Sequence, residues 1–71
     1  MNKRMLEARM KQYGDTQVKL ADAMGISYCS LNAKINQRGT DFTLPEVNFI
    51  IDRYHMNKRE AAECFFTRWV S

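Results

Sequence analysis

Metal or nucleophile chemistry in this 71-residue chain would rest on a single histidine, His55, and two cysteines, Cys29 and Cys64. Structural zinc sites draw ligands from close pairs, and these three residues stand too far apart to form one. No histidine–carboxylate–nucleophile set has a workable arrangement, and no glycine-rich loop is present to cradle a phosphate. So short a chain also encloses little pocket. An enzyme, a cofactor, a metal and a small-molecule substrate are therefore not expected. Neutral hydrogen bonding is a different chemistry, and Asn32 is one residue that could supply it. A carboxamide can donate and accept at once, which matches the N6 and N7 edge of adenine. The alternative for Asn32 is a plain solvated position, and the sequence leaves both open.

The elements that would position Asn32 read as helices. Met5, Leu6, Arg9, Met10 and Tyr13 recur at helical spacing over residues 3–13, and Gly14 is a plausible stop. Asp15 or Thr16 caps a second helix, with Val18, Leu20, Ala21 and Met24 expected to point inward and Gly25 closing it. Ile26 is expected as a buried turn residue. Ser27 then caps a third helix from Tyr28 to about Asn36, with Leu31 and Ile35 as its inner stripe. Tyr28, Cys29, Asn32, Ala33 and, at the side, Lys34 occupy its other face. Residues 37–42 form a polar loop anchored by Phe42. Thr43-Leu44-Pro45-Glu46 is a capping-box pattern opening a fourth helix, about 43–54, with Val47, Ile50, Ile51 and Tyr54 inward. His55 stands where that helix should stop, and Asn57 can cap a fifth, about 58–69.

Composition agrees with an all-α single domain spanning residues 1–71. Hydrophobic residues make up 45% of the chain, enough for a folded core, and one Pro and three Gly leave little turn chemistry for hairpins. Two isolated cysteines make no disulfide framework, and neither a signal peptide nor a membrane span is evident, so the cytoplasm is the expected compartment. The net charge of +3 is unevenly spread. Residues 1–38 carry seven basic and three acidic side chains, and residues 39–71 carry four and five. Such asymmetry suits an acidic polymer, because each neutralised phosphate releases counterions.

The segment from Gln17 to Asn36 carries the sharper signal. A helix-turn-helix needs two short helices joined by a tight turn, usually containing Gly. Ala21 is small enough for close approach, Gly25 can adopt positive φ, and Ile26 and Leu31 can fill the wedge between helices. The run Gln17-x-x-Leu20-Ala21-x-x-Met24-Gly25-Ile26-Ser27-x-x-x-Leu31 resembles the signature of the lambda-repressor and Cro-like group. Lys34-Ile35-Asn36, Phe42-Thr43-Leu44-x-Glu46 and the double aromatic Phe65-Phe66 are similar to small phage and prophage regulators of that group.

This resemblance implies a compact five-helix domain with the helix-turn-helix at about 16–36. Its third helix would read the major groove, as a two-fold dimer on a palindromic DNA operator, in a bacterial cytoplasm or nucleoid. By the same resemblance Ser27, Tyr28, Cys29, Asn32 and Ala33 lie nearest the base edges. Thr16 and Gln17, at the start of the second helix, and Asn36 and Arg38, past the third, match positions that touch the DNA backbone. Lys19 and Lys34 are further candidates for phosphate contact. The chain departs from many relatives by placing Tyr28 and Cys29 where they have Gln, Arg or Ser. Apolar contact with thymine methyl groups is expected there instead of bidentate readout.

Each assignment has a plainer counterpart. Tyr28 could shield the helix start, Cys29 could be a small groove-facing residue or a redox switch, and Lys19, Lys34 and Arg38 could be ordinary surface cations. Arg9 reads as a paired or snorkelling side chain. Phe65, Phe66 and Trp69 occupy more than one face of the last helix, which suggests either a dimer contact or a wide core-facing stripe. A rival to the DNA-binding regulator is a protein-interaction module, such as an antirepressor, that keeps the fold without operator binding.

Overall fold

The computed structural model describes residues 1–66. Among them are five α-helices and no strand: α1 (Lys3–Gln12), α2 (Gln17–Met24), α3 (Tyr28–Ile35), α4 (Leu44–Arg53) and α5 (Lys58–Phe65). The all-α expectation holds. Every helix start is a side-chain cap, in which Asn2, Thr16, Ser27, Thr43 and Asn57 each accept from a backbone N–H in the first turn. Thr43–Glu46 and Asn57–Glu60 are full capping boxes.

The stops are equally local. After α2, the Ile26 N–H bonds the Ala21 carbonyl and the Gly25 N–H bonds that of Asp22, with Gly25 left-handed at φ 74°. This is the Schellman arrangement, and it repeats after α1, α3 and α4 with Gly14, Gln37 and His55 in the left-handed position. Gln37 and His55 hold it at φ 54° and 50° without the freedom of glycine.

Leu6 and Met10 of α1, Leu20 and Ala21 of α2, Leu31 and Ile35 of α3, Ile50 of α4, its C-cap Tyr54, Met56 and Cys64 form one buried cluster. Within it α2 packs on α3 and α1 packs on α5. The Asn2 N–H bonds the Cys64 carbonyl at 2.6 Å, which ties the start of α1 to the end of α5. Among the described residues, three ion pairs join the two halves of the sequence: Arg9 with Glu60, Lys34 with Glu46 at 2.8 Å, and Arg53 with Asp15 at 2.8 Å.

Several expectations need correction. Val18 does not point inward; it is 63% exposed. The inner arc of α2 is Gln17, Leu20, Ala21 and Met24, at i, i+3, i+4 and i+7, and Val18 lies well outside that arc. Of the two caps expected for α2, Thr16 serves, as expected, and Asp15 has another role. Its carboxylate instead accepts from the Tyr54 hydroxyl at 2.6 Å and from Arg53. Ile26 is half-buried rather than buried. The fifth helix closes at Phe65, with Phe66 as its C-cap, short of the expected Trp69. Trp69 itself lies outside the described residues.

Candidate functional site

The outward arc of α3 follows from its inner stripe. With Leu31 and Ile35 buried, a turn of about 100° per residue sends Tyr28, Cys29, Asn32, Ala33 and Asn36 to one flank and Lys34 to the other. Ser27, Tyr28 and Cys29 are exposed at the start of the helix, while Asn32, Ala33 and Asn36 are half-buried. The Ser27 hydroxyl is engaged in the cap, accepting from the Ser30 N–H at 3.1 Å and meeting the Ser30 hydroxyl at 3.0 Å.

Three of the residues expected at the site are joined directly. The Asn32 amide nitrogen donates to the Gln17 side-chain oxygen at 3.1 Å, linking α3 to the first residue of α2. One turn later, the Asn36 amide nitrogen donates to the Asn32 carbonyl at 2.9 Å and to its side-chain oxygen at 3.3 Å. Asn32 thus uses both ends of its carboxamide within the protein. A second N–H and a second lone pair remain, so it can still bond an outside partner, from an orientation set by Gln17 and Asn36. The periodicity of α2 carried a signal for this: Gln17 shares the inner arc with Leu20, Ala21 and Met24.

A fourth member was not anticipated. The Lys3 ammonium donates to the Asn36 side-chain oxygen at 2.6 Å, bringing the start of α1 to the end of α3. Lys3, Leu6 and Met10 lie at i, i+3 and i+7, so Lys3 stands at the exposed end of the line that Leu6 and Met10 bury.

The other candidates fall into two groups. Thr16, Lys19 and Arg38 are exposed. Lys34 is drawn away from the arc toward α4, where it donates to Glu46 at 2.8 Å and to the Asp41 carbonyl at 3.4 Å. Burial pushes the Glu46 carboxyl up, but hydrogen bonds from Lys34 and Thr43 outweigh it and hold the group below its ordinary value. A lysine bound to a half-buried carboxylate offers little net charge to an outside partner, so Lys34 contributes less to this surface than its position in the sequence suggests. Arg9 is likewise neutralised, by Glu60. The basic first half is therefore partly balanced by acids of the second.

Of the aromatic residues considered for a dimer contact, Phe65 and Phe66 are half-buried. The Phe65 ring meets Phe42 edge-on, with centroids 6.0 Å apart, and so covers the loop after α3. Among the described residues, the large apolar side chains most open to solvent are elsewhere: Val18, Tyr28, Leu44, Phe49 and Tyr13. No helix among the described residues is long and apolar enough to cross a membrane. No family model, curated protein or solved structure matches the chain.

Proposed function

We propose that this chain is a sequence-specific DNA-binding transcriptional regulator of the phage or prophage kind, with α2 and α3 acting as a lambda-repressor-like helix-turn-helix. The observation that carries the reading is the α2–α3 pair. Two eight-residue helices pack together across Gly25, Ile26 and Ser27, and α3 keeps a full flank out of the core. A helix of this length with one flank outside the core suits a major groove about 12 Å wide. Thr16 and Gln17 at one edge, with Asn36 and Arg38 at the other, would hold the backbone, and Tyr28, Cys29 and Asn32 would face the bases. Pairing of two copies on a palindrome would place half-sites ~34 Å apart.

Binding to random-sequence duplex DNA across a salt series tests the proposal. A straight, steep fall of log affinity with log salt supports it, because released counterions set that slope. No retention even at low salt would remove it. That result would favour a protein-interaction module, a reading helped by the exposed apolar side chains Val18 and Tyr28 on the two helices.

A further inference from the structure

The hydrogen-bonded line Gln17–Asn32–Asn36 ends on a cation, Lys3, and this contact differs in kind from those of the basic side chains in ion pairs. Among the described residues, Arg9, Lys34, Arg53 and Arg59 each lie against a carboxylate, which cancels their charge locally. Lys3 instead donates to a neutral amide. An amide oxygen orients an ammonium without neutralising it, and the group keeps two further N–H donors. The residue is exposed, so that charge faces solvent. The negative end of the α3 dipole helps to hold it there.

We infer that Lys3 is a DNA-phosphate contact, carried by α1 and aimed by Asn36, which adds the start of α1 to the nucleic-acid surface. The inference rests on the DNA-binding reading above. A lysine held by Asn36 has given up part of its rotamer freedom on folding, so meeting a phosphate costs less ordering than it would for a free surface lysine. Because Asn36 is bonded to Asn32 and Asn32 to Gln17, one line of side chains sets the phosphate contact and the outward face of α3 in a common register.

The test uses the full chain and a random-sequence duplex, comparing wild type, Lys3→Ala and Lys58→Ala over a salt series. Lys58 is an exposed cation at the start of α5 that touches none of the line. One lost phosphate contact should lower the slope of log affinity against log salt by about 0.9 for Lys3→Ala. It should also weaken binding several-fold at moderate salt, while Lys58→Ala keeps the wild-type slope. The melting temperature of each variant separates an effect on α3 stability from one on binding. An unchanged slope for Lys3→Ala, with or without a lower Tm, overturns the inference and leaves the DNA-binding reading standing. Equal losses for Lys3→Ala and Lys58→Ala reduce the effect to net charge and overturn it too. Failure of the wild type to bind removes both.

Discussion

Asn32 of α3 donates its amide to Gln17, the first residue of α2, at 3.1 Å. The bond crosses the junction between the two helices and lies at the edge of the proposed DNA-binding face. A residue that looks like a free base reader in the sequence is therefore also a brace. Gln17→Ala and Asn32→Ala should each destabilise the fold, and the double variant should lose less than the sum. The coupling expected for one neutral hydrogen bond is about 0.5–1.5 kcal/mol, read from denaturant unfolding of the four-member cycle. Strict additivity would mean that the bond contributes nothing in solution.

Alongside Glu46, Asp15 should contribute to acid stability. Its side chain is only 6% exposed, and hydrogen bonds from Arg53 and then Tyr54 outweigh burial and hold its carboxyl below the ordinary value. A carboxyl depressed in the folded state stabilises above its unfolded pKa, near ~3.9, and that contribution disappears as pH falls through the lower folded value. Stability should therefore drop below about pH 4, and Asp15→Asn should flatten that part of the profile. Tyr54→Phe removes one donor from this carboxylate and should cost about 1.5–3 kcal/mol at neutral pH.

The two thiols should separate cleanly. Cys29 is exposed and Cys64 is buried, where loss of solvent pushes its thiol up to about 11. A thiol reagent should label one site in the native protein and the second only on unfolding. Because Cys64 is raised above its unfolded value of about 8.5, it favours the fold below that pH. Its contribution is then lost as pH climbs toward 11. Burial also raises the Tyr54 hydroxyl, so the alkaline loss continues as unfolded tyrosine ionises, above about pH 10.

Two backbone substitutions should act in opposite directions. Gly25 has φ 74° with nothing within 4 Å of an added Cβ, so Gly25→Ala meets backbone strain and no clash. A cost of about 1–2 kcal/mol follows, lowering Tm. Gln37 already bears that strain at φ 54°. Gln37→Gly should relieve it, offset by the greater freedom of glycine in the unfolded chain, for a net gain of up to about 1 kcal/mol.

Local signals in the sequence matched the structure well. Thr43 with Glu46, Ser27, Asn57 and Gly25 act within one turn of backbone, so their roles follow from neighbouring residues alone. His55 stopping α4 is of the same kind. The misreadings came where tertiary geometry decides. Val18 looked inward because it is apolar, yet the period of α2 gives its inner position to Gln17. Nothing in Phe66 and the residues after it resembles a Gly or Pro stop, so the end of α5 at Phe65 was not legible. Asp15 suited a cap by type, and only the approach of Arg53 and Tyr54 from α4 makes it a buried acceptor. Lys34 and Lys3 exchanged weight for a similar reason. The partner of each, Glu46 and Asn36, lies 12 and 33 residues away in sequence.

The central claim is that α3 reads a DNA sequence, and selection from a pool of randomised duplexes tests it most directly. Repeated rounds with the wild-type chain should enrich one motif, and Tyr28→Ala should change the preferred base at a position within it while leaving the rest intact. A pool that stays random after selection, from a protein shown to be folded, would contradict the account.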